Sequence, residues 1–90
     1  PELNLMTAEG ENHPLADKLV AAADFPGAKI TTIDGLRVDF EDGFGLVRAS
    51  NTTPCLVFRF EATNEDALAR IQQDFRQLVA THAPDAELPF

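Results

Sequence analysis

FGLVRASNTTPCLVFRF, Phe44 to Phe60, is the stretch on which the reading of this chain turns. Two apolar runs, FGLV (Phe44–Val47) and CLVFRF (Cys55–Phe60), read as strands, and RASNTTP (Arg48–Pro54) lies between them. An ordinary tight hairpin uses Asn-Gly, Asp-Gly or another glycine pair, and this loop has none. It holds Arg48, the only serine of the chain (Ser50), Asn51, Thr52 and Thr53. So many hydrogen-bonding side chains exceed what a simple turn requires.

Outward from that stretch the patterns alternate with period two. KITTI (Lys29–Ile33) leads to Asp34–Gly35, a two-residue hairpin signal, and LRVDF (Leu36–Phe40) follows. Leu36, Val38 and Phe40 share one face, with Arg37 and Asp39 on the other. EDGFG (Glu41–Gly45) reads as a second turn into LVR (Leu46–Arg48). In CLVFRFEA (Cys55–Ala62), Leu56, Phe58 and Phe60 face one way and Arg59 and Glu61 the other. This alternation describes an antiparallel sheet covered on one side and wetter on the other. Arg37/Asp39 and Arg59/Glu61 read as cross-strand ion pairs on the wetter side.

The N-terminal ELNLM (Glu2–Met6) is a first strand, followed by a loop and then HPLADKLVAAAD (His13–Asp24) as a helix. Pro14 stands in its first turn, Asn12 or His13 is the candidate cap, and Leu15, Leu19, Ala22 and Ala23 form its apolar face. FPG (Phe25–Gly27) breaks it. After the last strand, Thr63 with Asp66 gives a helix-start signature. Leu68, Ile71, Phe75, Leu78 and Val79 keep helical spacing to an end near Thr81–His82, ahead of Pro84. The expected fold is α+β, a two-layer sandwich of order β-α-β-β-β-β-α with a mainly antiparallel sheet and both helices on one face.

Composition limits the functions. The 90 residues make one expected domain, 1–90, able to bury about 60–65% of the unfolded surface. Formal net charge is −8 with only 7 Lys plus Arg, which opposes binding to a phosphodiester backbone. A single-stranded nucleic-acid reader would also need exposed aromatics, and the Phe residues read onto the covered face. No apolar run approaches the roughly 20 residues of a membrane span, and the start lacks a signal-peptide pattern. The expected compartment is the cytoplasm. The chain starts at Pro1 and not at methionine, so it is expected to be an excised piece of something longer.

The lone Cys55 excludes an internal disulfide and reads as a small core residue. His13 and His82 have no second ligand at metal spacing and read as surface residues at helix ends. Neither a metal nor a catalytic group is expected. That leaves the loop. A phosphate monoester offers three peripheral oxygens, and an arginine fork, hydroxyls, an amide and a turning backbone can all donate to them. Pro54 stiffens the exit and leaves no N–H unpaired. Alternatively, Ser50, Asn51 and the threonines bond their own backbone in a plain surface loop. Ser50 as a catalytic nucleophile lacks both a Gly-x-Ser-x-Gly elbow and a neighbouring histidine.

DGLRVDFEDGFGLVRASNTTPCLVFRFEA (Asp34–Ala62) resembles the C-terminal domain of the α-D-phosphohexomutases, in the bacterial phosphomannomutase/phosphoglucomutase branch. The DG-x-R hairpin, the G-aromatic-G-L-V-R strand and RASNTTP carry the likeness. The acidic helix TNEDALARIQQDFRQLV and the final PF follow in matching order, so the resemblance runs from Asn4 onward. Its SNT core resembles the mannose/glucose branch more than the glucosamine branch, which tends to SGT. The resemblance implies a TATA-box-binding-protein-like fold and a parent enzyme of four domains. That enzyme interconverts hexose 1-phosphates and 6-phosphates through a bisphosphorylated intermediate, using a phosphoserine and Mg²⁺ held in other domains. Arg48, Ser50, Asn51 and Thr52 match the family's phosphate-binding positions, and Thr53 is their neighbour. The serine loop TASHNP, the metal loop DGDxDR and the sugar-reading GE-x-SG loop are all absent from these 90 residues. The resemblance therefore implies hexose phosphates and the other domains of the same chain as partners, and no catalysis by this piece alone. A free-standing anion-binding or regulatory module is the alternative.

Overall fold

The computed structural model describes residues 2–90. Its elements are β1 (Glu2–Met6), α1 (Asn12–Ala22), β2 (Lys29–Thr31), β3 (Leu36–Phe40), β4 (Gly43–Ala49), β5 (Cys55–Ala62) and α2 (Glu65–His82). The strands form a five-stranded sheet of order β1-β5-β4-β3-β2 in which every pairing is antiparallel. Successive hairpins lay down β2 to β5, and β1 closes the opposite edge against β5. Chain connectivity explains the layers: α1 crosses from the β1 edge to the β2 edge, and α2 returns beneath β4 and β5. Both helices pack on one face, as the sequence pattern requires.

That face is the core. Leu36, Val38, Val47, Leu56, Phe58, Ile71, Phe75, Val79 and Leu19 are fully buried, with Leu5, Ala16 and Phe60 beside them. The strands' periodicity names Leu36, Val38, Leu56, Phe58 and Phe60 correctly, whereas Phe40, Leu68 and Leu78 are only partly buried against the cluster. Six phenylalanines form a continuous chain of ring contacts. Phe25 meets Phe40 and Phe75, Phe75 meets Phe60, and Phe90 lies against both Phe58 and Phe60 at centroid distances of 5.1 and 4.9 Å. The C-terminal Phe90 thus closes the core from outside any regular element.

Several local expectations need correction. The buried residues of α1 are Asn12, Ala16 and Leu19, a face rotated from the one expected through Leu15 and Ala22. The helix stops at Ala22, and Glu11, not Asn12 or His13, occupies the cap position, with no side-chain cap bond. In α2 the cap is Asn64, whose side chain accepts from the Ala67 N–H at 2.8 Å, so Thr63 lies outside the helix. Glu65 and Asp66 in the first turn and His82 in the last complement the helix dipole.

The hairpin from β2 to β3 is wider than an Asp-Gly turn: β2 ends at Thr31 and residues 32–35 form the connection. Ile33 sits on this loop at 93% exposure. Gly35 has φ +90°, and a Cβ there would run into the backbone carbonyl of Val47. Between β3 and β4 only Glu41 and Asp42 turn the chain, and Gly43, Phe44 and Gly45 belong to the strand. Asp42 then receives a two-pronged bond from Arg70 at 2.6 and 2.8 Å, joining that turn to α2. The guanidinium holds the Asp42 carboxyl below the usual carboxylate range.

The open face of the sheet carries Arg37, Asp39, Phe44, Arg59 and Glu61. The two pairs expected across strands run within them instead: Arg37–Asp39 at 3.1 Å and Arg59–Glu61 at 3.8 Å. Residues two apart on a strand point the same way, which makes these partners closest. Phe44 departs from the expectation that every phenylalanine is covered, and Arg37 stacks over its ring at 4.1 Å.

Phe75 is fully buried, with partners on the sheet and in the Phe25 segment. Its truncation to Ala is expected to cost roughly 3–5 kcal/mol, a large share of the ~5–15 kcal/mol of a small domain. Phe58→Ala should behave alike. Thermal unfolding checks both, and a variant that melts like the parent would contradict this core.

Candidate anion-binding site

The loop emerges from the end of the β4–β5 hairpin. The last pair of the ladder is Ala49↔Leu56, and Ser50 N–H still donates to the Cys55 carbonyl at 3.0 Å. Residues 51–54 therefore arch over a closed end. Arg48 and Ala49 belong to β4 itself.

Within the arch, Ser50 organises the chain. Its Oγ accepts from the backbone N–H groups of Thr52 and Thr53, each at 3.2 Å, and lies 3.3 Å from Thr52 Oγ1. Two backbone donors thus converge on one point just above the loop. This is the self-bonded pattern of a serine turn, so Ser50 does what a plain surface loop would ask. The same pattern fills both N–H groups with Ser50 Oγ, so an anion would meet the serine hydroxyl and not a free pair of N–H groups.

The carbonyl groups turn the other way. Asn12 Nδ2 donates to Ser50 O at 2.9 Å, Thr53 O at 3.3 Å and Cys55 O at 3.2 Å. Thr53 O also accepts from Cys55 N–H at 2.8 Å, and Pro54 O from Thr7 N–H at 2.8 Å. The negative ends of these peptides consequently face the protein. Asn51, Thr52 and Thr53 are exposed, with the Thr52 and Thr53 N–H groups satisfied by Ser50 Oγ.

Ser50, Asn51, Thr52 and Thr53 line a shallow concavity of about 340 Å³ with Glu9, Gly10, Asn12, His13 and Pro54. A neighbouring hollow is lined by Asn51 and His13 with Asp17 and Asp34 among others. The concavity combines donors with one acidic neighbour, Glu9, which lowers its affinity for anions. Arg48 is not among the lining residues. It projects from the open face, opposite Val57, and its guanidinium lies 3.7 Å from the Glu2 carboxylate. The structure thus brings four of the sequence-named residues together and places the fifth on the adjoining sheet face. Asn12, His13 and Glu9 are neighbours of the loop that no local sequence signal reveals, because α1 lies 38 positions away from it in the chain.

Cys55 is a buried free thiol, as expected from its strand. His13 is exposed on the rim, and His82 is half-buried at the end of α2. Among the described residues no group of three His, Cys, Asp or Glu side chains could hold a metal ion. Among them, too, no helix is long and apolar enough to cross a membrane.

Comparison with known proteins now decides the lineage. The family profile "Phosphoglucomutase/phosphomannomutase, C-terminal domain" matches residues 2–78. The chain belongs to this family. It is 56% identical over 84 residues to a phosphoglucomutase of Neisseria meningitidis, covering 91% of this chain and 18% of that protein. It is 47% identical over 90 residues to the phosphomannomutase/phosphoglucomutase of Pseudomonas putida, covering 100% of this chain and 19% of that protein. A crystal structure of a phosphoglucomutase/phosphomannomutase family protein from Burkholderia thailandensis superimposes with a TM-score of 0.87 at 57% identity, over 100% of this chain and 19% of that one. The chain thus spans about a fifth of the length of these relatives, and corresponds to the family's C-terminal domain. The α+β architecture and the family resemblance both hold.

Ser50→Ala removes the acceptor that gathers the Thr52 and Thr53 N–H groups. The expected result is faster hydrogen exchange at those two amides and a stability loss of about 1 kcal/mol. Amide exchange followed by NMR measures the first, and unchanged protection would show that Ser50 does not organise the loop.

Proposed function

We propose that this chain is the phosphate-recognition domain of a phosphomannomutase/phosphoglucomutase, and that the loop from Arg48 to Thr53 grips the phosphate of a hexose phosphate that is not being transferred. The parent enzyme, on this reading, has four domains and works in the cytoplasm. It interconverts hexose 1-phosphate and 6-phosphate through a bisphosphorylated intermediate. The other domains of the same chain supply the phosphoserine, the Mg²⁺ site and sugar selection. The residues described above do not fit a metal, so no step is assigned to one here.

The observation that supports the reading is the polarity of the loop. A phosphate oxygen is repelled by carbonyl lone pairs and held by N–H and O–H donors. Here the Ser50, Thr53, Pro54 and Cys55 carbonyls are bonded inward, and the Thr52 and Thr53 N–H groups are gathered on Ser50 Oγ. A hydroxyl that accepts two N–H bonds is polarised, and its own proton becomes a better donor to an incoming oxygen. Asn51 adds an amide and Thr52 a second hydroxyl.

Arg48 is the charged member. Its pairing with Glu2 is long, at 3.7 Å, and both side chains are well exposed. Such pairs contribute about 0–1 kcal/mol, so a dianionic phosphate competes easily for the guanidinium. The clamp requires the long Arg48 side chain to turn from the sheet face toward the loop. Arginine suits the task because its planar donors can engage two oxygens at once.

Binding to this chain alone should be weak, on the order of millimolar, or about 4 kcal/mol. Titrated with α-D-glucose 1-phosphate, amide signals should move at Arg48–Thr53 while Arg37 and Arg59 stay nearly still. Arg48→Ala should remove most of the response, and Arg48→Lys should weaken it. Shifts spread evenly over the basic residues would mean diffuse anion association and defeat the proposal. In a coupled mutase assay with Mg²⁺ and bisphosphate activator, the 90-residue chain should show no turnover. Turnover above buffer would place catalytic groups where none is assigned.

A further inference from the structure

Asn12 is the one buried polar side chain among the described residues, at 3% exposure. It does not act as a cap. It stands inside the first turn of α1, with Glu11 at the cap position, and its carboxamide points across to the loop. Asparagine is a poorer helix former than alanine or leucine, so helix formation gives no reason for it there. What it satisfies is the loop: three carbonyl oxygens, of Ser50, Thr53 and Cys55, surround its Nδ2 within 3.3 Å. Only the NH₂ end of the carboxamide can occupy that position, since an oxygen there would face three other oxygens without a hydrogen among them.

We infer that Asn12 is the positioning residue of the anion loop: its carboxamide holds the Ser50, Thr53 and Cys55 carbonyls against α1, which fixes both ends of the arch and turns the Asn51 N–H, the partner of the Ser50 carbonyl in its peptide, the opposite way. The inference rests on the phosphate reading of the loop. Its physical basis is that α1 is fixed to the sheet by Ala16 and Leu19, both buried in the core. A short polar side chain on that fixed helix holds the loop from behind, while the ligand approaches from the front. Recognition geometry is most exact when the contacting groups are locked by such supporting bonds. Asn12 itself touches no ligand. It acts through the peptide planes of residues 50–55.

Removing the carboxamide frees the carbonyls to turn toward solvent. Asn12→Ala is therefore expected to displace the Ser50–Thr53 amide signals of the free chain and weaken α-D-glucose 1-phosphate binding by about tenfold. Asn12→Asp, with the same shape and no donor in its ionised form, should lose at least as much. Ile71→Val, a core change away from the loop, gives a destabilised control that should bind like the parent.

A readout on the unaltered chain needs no variant to fold. The Asn12 side-chain NH₂ signals should shift together with the loop amides during the titration. Loop-centred binding in the parent with still Asn12 signals would overturn the inference and leave the clamp intact. So would Asn12→Ala binding like the parent, or losing no more affinity than Ile71→Val. Absence of any loop-centred response in the parent would defeat the phosphate reading itself, and this inference with it.

Discussion

Phe75 enters the sheet over Gly45, and that contact sets the spacing between the two layers. A Cβ on residue 45 would lie within 2.8 Å of the Phe75 ring tip, so only glycine lets the ring settle onto the strand. Filling such a space in a packed core costs about 1–3 kcal/mol. The ring is in turn edged by Phe25 and Phe60. Through these contacts α2 is held along β4 and β5, the two strands whose shared end carries the loop. The position of the loop thus follows from an aromatic ring and a missing methyl group at the other end of the same strand.

The two faces of the sheet then divide the labour. The covered face accounts for stability, since nearly all fully buried side chains point that way. The open face carries charge, with Arg37, Arg48 and Arg59 each near a carboxylate. These exposed pairs contribute little energy, and that weakness suits Arg48 in particular. A guanidinium locked in a buried pair would be unavailable to a ligand. One resting 3.7 Å from Glu2 is solvated, oriented and easily exchanged.

Alternation along β3 and β5 made the sheet, its covered face and the helix layer legible from sequence, because side chains two apart must share a face. Residues Ser50–Thr53 were legible as a candidate site because their chemistry is concentrated in one run, and they do line one concavity. The failures share a different physics. Gly43 to Gly45 looked like a turn, since glycine usually marks one, yet Gly45 is in the strand for the sake of Phe75. Asn12 looked like a cap, since asparagine favours that place, yet its partners are three carbonyls far along the chain. Phe90 looked like the end of a tail and proves to be a core ring. Each depends on a contact between distant segments, and no local pattern encodes such a contact.

Net charge gives the last point. A chain of formal charge −8 is a poor long-range attractor for a phosphate, and Glu9 on the rim adds to that opposition. Surface charges more than about 8–10 Å away are largely screened at physiological ionic strength, whereas hydrogen bonds act at contact. On the reading proposed above, selection for a phosphate comes from how the nearest dipoles are turned, with one exposed cation added to them. Four carbonyls bonded inward take four negative dipole ends away from the loop's surface even on an acidic protein. On that same reading the site attracts little from a distance and discriminates at contact, as suits a domain proposed to meet its ligand inside a cleft formed by the rest of a larger enzyme.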